Sequence, residues 1–505
     1  MKHNEFLTAL LQKNPAWRPF AGANAITPHL ANPTQKRERK LCASLEEAIT
    51  RTGLRNGMTI SFHHAFREGD KVINMVVDEL ARMGFRDLTL ASSSLMSVNE
   101  PLIKHIRNGV ITRIFTSGMR GKLADAISHG LMDNPVHVHS HGGRVHLLKS
   151  GQLQIDVAFL GVPCCDTLGN ANGSHGKSRC GSLGYAKVDA RFARQVVLLT
   201  DEMVPFPNVP ASISQDEVDY IVKVDAVGDP SRISVGAARM TSNPRELLIA
   251  RRAADVIEHS GYFVDGFSLQ TGSGASSTAA TRFLEERMIR KGITASYALG
   301  GITGSMVDLH KKGLIKTLID TQSFDTVAAQ SLAESPHHQE VSTNEYANPS
   351  SKGTYCDLVD LVILSALEID VDFNVNVITG SDGVMRGASG GHCDVAAAAN
   401  LTIVVAPLVR SRIPTVVKHV TTVVTPGESI DVLVTDQGIA VNPARGDVAE
   451  RLIAAGLPVM SIESLYERAV AQTGVPQPIE FTDRVVGIIH YRDGSVIDVV
   501  RQVKT

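Results

Sequence analysis

Aromatic residues are scarce in this 505-residue sequence, and Trp17 is its single tryptophan. Set against 42 glycines, that scarcity disfavours an aromatic-rich β-sandwich and favours many tight strand-to-helix turns. Charge of one sign is also missing, since 50 Lys and Arg stand against 52 Asp and Glu. No field exists to gather phosphate backbones or anionic lipid, so neither nucleic acid nor a membrane surface is an expected partner. The six cysteines (Cys42, Cys164, Cys165, Cys180, Cys356 and Cys393) form no C-x-x-C pair and no disulfide ladder, which points to a reducing, cytoplasmic compartment. No window approaches the ~20 apolar residues of a membrane span, and the first residues lack a signal-peptide core. Catalytic signatures are absent too. Without a Ser-His-Asp order a hydrolase is disfavoured, and the loop Gly272 to Gly274 is neither a Walker A, lacking Gly-Lys-Ser/Thr, nor a complete G-x-G-x-x-G.

What is present is βαβ grammar. From Leu41 onward, MTISFHHAF, DKVINMVVDELARMG and RDLTLASSS alternate strand and helix patterns, and YFVDGFSLQT, AATRFLEERMIRKG and ITASYALGG repeat the alternation, which predicts mostly parallel sheets flanked by helices. Two registers of identity join these stretches. Gly121, Asp125, Gly130 and Leu131 match Gly304, Asp308, Gly313 and Leu314 at an offset of 304 − 121 = 183. Asp156, Asp166, Asn170 and Asn172 match Asp360, Asp370, Asn374 and Asn376, each 204 apart, and Asp189 matches Asp394 at 205. The sequence therefore reads as two tandem related α/β domains, 41–230 and 240–505, whose boundary lies in the Gly-, Pro- and Ser-rich stretch 226–242. Residues 1–40, polar and ending in Lys36, Arg37, Glu38, Arg39 and Lys40, read either as an arm docking a partner or as a solvated tail. Residues 325–353 have few core-forming side chains and read as a lid, a binding loop or a disordered segment.

Several segments have the residue types of a site. Gly272, Ser273 and Gly274, with Ser276 close behind, join a strand to a helix, where free N–H groups attract a phosphate or carboxylate, although an ordinary tight turn has the same sequence. Gly390 and Gly391, followed by His392 and Asp394, offer consecutive amides to an oxyanion, or simply allow a helix to approach a strand closely. His137, His139 and His141 alternate along a strand; imidazoles at a strand edge are favoured over a metal site, because no carboxylate or Cys stands at ligand spacing. His63 and His64 end the first strand, where α/β folds bind ligands. Arg386, Arg410 and Arg412 are candidates for clamping carboxylates, or solvate the surface. Glu368 and Asp370 are read as cleft or turn carboxylates, and Cys164 and Cys165 as inert core thiols.

LQTGSGASSTAATRFLEER, SYALGGITGSMVDLHKKGLIKTLIDTQSFD, ALEIDVDFNVNVITGSDG and GASGGHCDVAAAANL resemble segments of the coenzyme A transferase family, and within it most closely the citrate lyase α-chain family. The resemblance covers essentially the whole chain. It implies a cleft between the two halves, with Gly272 to Gly274, Gly300, Gly301, Gly390, Gly391 and His392 around a thioester. It implies exchange of an acyl carrier protein from acetyl thioester to citrate, releasing acetate, inside an oligomeric complex with a lyase (β) subunit. No tightly bound cofactor is implied; the phosphopantetheine-type group of the carrier is the substrate, and a coenzyme A thioester is a possible surrogate. The wider family has a catalytic Glu at the place where Gly300 stands, so the resemblance implies direct attack by citrate through a mixed anhydride in a ternary complex. Three alternatives stay open: a transferase for free coenzyme A with a Glu from elsewhere (Glu334, Glu340 or Glu345), a citramalate-specific relative, and a non-enzymatic ligand-sensing module.

Overall fold

The computed structural model describes residues 3–15, 40–234, 241–272 and 274–504. Lys40–Thr505 forms one compact unit and Met1–Arg39 another; in the latter, His3–Lys13 is a helix, and the basic run anticipated as the end of an arm lies mostly outside the described residues.

Two large sheets build the main unit. The first runs, in spatial order, Leu41–Cys42, Tyr220–Lys223, Gln195–Thr200, Val157–Val162, Thr59–Phe62, Leu88–Ser92, Ile111–Thr116, Val136–Val138, Phe481–His490 and Val496–Val503. The second runs His338–Glu340, Ile315–Ser323, Ala295–Ile302, Ser268–Thr271, Leu361–Ser365, Leu401–Val405, Val432–Val434 and Ile439–Val441. Counted outward from Thr59–Phe62 and from Ser268–Thr271, seven strands of each sheet follow one another in the same order along the chain and across the sheet, so the two halves share one core topology, with the edge strands Leu41–Cys42 and Ile439–Val441 and the final hairpin outside the repeat. Central strands such as Val157–Val162 are buried along their whole length, as expected of parallel strands covered on both faces.

The repeated polar residues make the same bonds in each half. Asp156 accepts from the backbone N–H of Thr59 at 2.9 Å and Asp360 from that of Ser268 at 2.8 Å, each at the start of a central strand. The Asp166 carboxylate closes a turn on the N–H groups of Leu168 and Asn170, and Asp370 does so on Asp372 and Asn374. Asn172 and Asn376 each accept from the second and third N–H groups beyond them. Selection for these local backbone bonds explains why polar positions, more than core ones, display the repeat.

The structure departs from the sequence reading in two places. The last hairpin does not belong to a second domain running 240–505: Gly487–Ile489 pairs in parallel with Val136–Val138 and closes an otherwise open edge of the first sheet, a pairing of distant segments that leaves no local trace in sequence. The stretch 325–353 is not an unstructured loop. It forms a helix, Thr326–Glu334, capped by Asp325; a strand, His338–Glu340; and a helix, Thr343–Ala347, started by a Ser342/Glu345 capping box.

Candidate active site

Both sheets direct the C-terminal ends of their parallel strands at one cleft of about 380 Å³, a volume suited to a small molecule. From the first half come His64, Arg67, Met96, Ser117, Arg120, His141 and Tyr185; from the second come Gln270, Gly272, Gly274, Gly301, Gln322, Phe324, Tyr346 and Ser365. The segment Arg386–His392 crosses between the halves. It is stitched to the first half through its backbone: Met119 N–H donates to Gly387 O at 3.2 Å, Ser389 N–H to Ser117 O at 2.8 Å, and His141 N–H to Gly390 O at 2.8 Å. Gly118 is required beneath it, because a Cβ there would stand 2.3 Å from the Cα of Ala388.

Two side chains that the sequence reading overlooked dominate the electrostatics. Arg67 is buried, stacks on the ring of Phe324 at 4.8 Å, and leaves its Nε without a hydrogen-bond partner. It also has a φ of +52°, a conformation that costs a non-glycine residue about 1 kcal/mol or more. Arg120 reaches only the thioether sulfur of Met96, at 3.5 Å. Burial, then the charge of Arg120, pulls Arg67 down to about 10, and burial lowers Arg120 as well. No Asp or Glu side chain lines the cleft, and neither guanidinium makes an ion pair among the described residues; Glu68, and for Arg67 also Asp325, act on them only from farther off. Their position just past strand ends was the available signal; their lack of an ion pair is a tertiary fact.

The anticipated residues divide. His64 lines the cleft, but His63 does not: its Nε2 donates to Gly161 O at 2.8 Å and its Nδ1 accepts from Ala65 N–H at 3.3 Å, and burial, opposed by the bond to Gly161, pulls it down to about 4. Arg410 lines the cleft with its guanidinium on the carbonyls of Ala366 and Leu367, whereas Arg386, at the rim, is paired with Asp382 and Arg412 is exposed outside it. His392 is at the cleft wall, its Nδ1 2.7 Å from the Thr425 hydroxyl and its Nε2 3.1 Å from Ser365 O; burial pushes it down to about 4, so it pins the strand end as a neutral ring. Gly272 and Gly274 line the cleft at the start of helix Ala275–Lys291, and Ser276 is buried in its first turn; Ser273 lies outside the described residues. Gly390 and Gly391 present their backbone to the cleft, with no acceptor for either N–H among the described residues. A side chain at Gly391 would meet the Tyr346 hydroxyl at 2.5 Å.

Gly301 lines the cleft and Gly300 sits behind it. Gly300 has φ +102° at a bulge, and a Cβ there would lie 2.8 Å from the Gln270 carboxamide. Gln270 thus fills the space that a side chain at 300 would need, donating to Tyr346 Oη at 2.9 Å. Glu368 and Asp370 are turn carboxylates outside the cleft, bound to Asn376 and Thr421 and to Asp372 and Asn374. His137 meets His490 at 2.9 Å and His139 is buried; no cluster of three or more metal-ligating side chains occurs among the described residues. The six cysteines are buried and unpaired, and burial lifts Cys165 to about 12.

A model of the citrate lyase α-subunit family matches residues 38–503. The chain belongs to that family. It is 69% identical to the citrate lyase alpha chain of Klebsiella pneumoniae over 96% of each chain. With the alpha chain of Escherichia coli K12 it shares 67% identity over 93% of this chain and 92% of that one. A crystal structure of the alpha subunit from Streptococcus mutans, solved in complex with citrate, superposes with a TM-score of 0.92 at 55% identity, covering 94% of this chain and 93% of that one. A Pseudomonas malonate decarboxylase structure shares the fold at a TM-score of 0.62 and 15% identity, covering 86% of each chain. The family is that of one subunit of a multi-subunit enzyme, and no helix among the described residues is long and apolar enough to cross a membrane.

Proposed function

We propose that the cleft exchanges the acyl group of a carrier-protein thioester, taking in citrate and releasing acetate. The observation that carries this reading is the lining itself: Arg67 and Arg120 are cations without a carboxylate partner, and no acidic side chain competes with them. Guanidinium forks match carboxylates bidentately, so a polycarboxylate supplies the missing charge. The bound citrate reported for the Streptococcus mutans alpha subunit agrees with that choice.

The absence of an acid from the lining also bears on chemistry. An enzyme-bound acyl intermediate needs a nucleophilic side chain; Glu334 is exposed, Glu340 is bound to Leu183 and Lys187, and Glu345 caps a helix. Citrate held at the arginines instead attacks directly. One carboxylate oxygen bonds to the acetyl carbonyl carbon, the carbonyl electron pair moves to oxygen, and collapse expels the carrier thiolate, leaving a mixed anhydride. The thiolate then attacks the citryl carbonyl, and acetate departs. The chain holds the reactants together, and the free N–H groups of Gly390 and Gly391 stabilise the oxyanion. The carrier's phosphopantetheine arm is a substrate entering from the partner, and a lyase subunit consumes the citryl thioester. Incubation of the purified chain with acetylated carrier protein and citrate tests the reading by intact mass: citryl replaces acetyl without any other subunit, and an unchanged acetyl carrier overturns it.

A further inference from the structure

His64 is the one imidazole of the cleft lining that has a partner fixing one nitrogen and leaving the other for a ligand. It follows strand Thr59–Phe62, and Ser93 follows the neighbouring strand Leu88–Ser92. The Ser93 hydroxyl accepts from the His64 backbone N–H at 3.1 Å and lies 2.6 Å from His64 Nδ1. That hydroxyl has one hydrogen, and Nδ1 is the acceptor within reach. Were Nδ1 protonated instead, the Ser93 O–H would be a buried donor without an acceptor, which is disfavoured. The proton of the neutral ring is therefore on Nε2.

Around His64 stand Arg67 on the following turn, Arg120 ahead of helix Gly121–Ser128, His141 opening its helix with ring centroids 5.8 Å apart, Tyr185 at 4.8 Å, and the adjacent His63. No carboxylate is among them. Burial first, and then His141, Arg67, His63 and Arg120, hold the ring well below the ordinary histidine range. The backbone is fixed as well, since the Gln322 carboxamide of the other half donates to His64 O at 3.0 Å.

Resting on the transfer reading above, we infer that His64 is a catalytic residue that gives a hydrogen bond from Nε2–H to the acyl oxygen as it becomes an oxyanion, and that Ser93 is the positioning residue that fixes this tautomer. His141 links the ring to the glycine amides, because its N–H holds Gly390 O. No proton is transferred: the carbonyl π pair moves onto oxygen during attack, returns on collapse, and the N–H stays on the ring. A neutral donor suits a cleft already charged by two arginines. A protonated ring would add a third cation and would bind citrate and the oxyanion alike, whereas a donor aimed at the reacting oxygen favours the transition state.

The test measures transfer kinetics, histidine tautomers and folding for the full chain and three variants. His64→Ala is expected to lower kcat for citryl-carrier formation by about 10²–10³-fold with the citrate KM within a few-fold of wild type. His64→Gln, which keeps an amide donor, recovers part of the loss. Ser93→Ala lowers kcat more modestly and shifts the His64 signal from the Nε2–H pattern toward a tautomer mixture in nitrogen–proton correlation spectra of histidine-labelled protein. Wild-type kcat shows no ionisation near pH 6.5 that the His64 variants remove. Wild-type activity with an equally active, folded His64→Ala refutes the role of His64 alone, as does a His64→Ala defect confined to KM or an Nδ1–H or charged ring in the wild type. A wild type that makes no citryl carrier refutes the transfer reading instead.

Discussion

Replacing Arg67 by Met should make the empty protein more stable and less able to bind citrate. Burial and the charge of Arg120 pull Arg67 down to about 10, which at about 1.4 kcal/mol per unit puts the cost of holding this buried, unpaired cation at about 3 kcal/mol. Methionine removes that cost at similar girth. It forfeits the stacking on Phe324, worth about 1–2 kcal/mol in a desolvated setting, and retains the backbone strain at φ +52°. The net gain is on the order of 1–2 kcal/mol. At about 2 cal/mol/K of unfolding entropy per residue, a unit of this size gains about 1–2 °C in Tm. Citrate at a hundredfold over its Kd adds about 2.7 kcal/mol to the wild type, and that increment should vanish in the variant. Thermal melts of both proteins with and without citrate decide the matter. A variant that melts lower when empty yet still gains stability with citrate would falsify the assignment of Arg67 as a carboxylate site.

Three other outcomes follow from the geometry. Gly391→Ala, whose Cβ meets Tyr346 Oη at 2.5 Å, should destabilise by about 1–3 kcal/mol through overpacking and lower kcat at least tenfold; a fully active variant by steady-state assay contradicts the packing argument. Hydroxylamine should leave the enzyme active after incubation with acetyl thioester, because no carboxylate lines the cleft, and progressive inactivation would reveal a covalent intermediate. Stability should fall as the pH drops from 6.5 toward 4: His63 and the half-buried His392, held to about 4 against 6.5, bind protons only on unfolding, each removing up to about 3 kcal/mol over that window. Asp70 and Asp394, raised to about 7 and about 6, oppose this by gaining stability as they protonate, but the lowered His64, His139 and His141 leave the histidines dominant. Melting curves across the window measure the slope, and His392→Gln should flatten it by about one proton.

The tandem architecture was legible because the repeat rests on short-range bonds. A side chain such as Asp166 or Asn376 closes a turn on its own neighbours, so its identity is fixed locally and survives where core positions drift. The Ser342 to Glu345 box was equally legible and was passed over in a stretch poor in large apolar residues. Gly274, Gly301 and Gly391 are legible as close-approach positions, because a Cβ at each would stand 2.0, 2.2 and 2.5 Å from Ser365, Phe324 and Tyr346. The arginines were not. Arg67 and Arg120 look like any surface guanidinium until the fold buries them together, and His63 looks like His64 until strand alternation turns one ring toward Gly161 and the other toward the cleft. The final hairpin was invisible for the same reason, since its partner strand is remote in the chain.

That remoteness has a bearing on biosynthesis. Strand Val136–Val138 leaves the ribosome some 350 residues before the strand that flanks it, as the His137–His490 contact measures, which at 5–20 residues per second is an interval of about 20–70 s. During that time the nascent first half presents a bare strand edge, the template on which chains aggregate. Slowed translation or a tag that delays release of the C-terminus should therefore reduce the soluble yield of the first half, far from the residues being delayed.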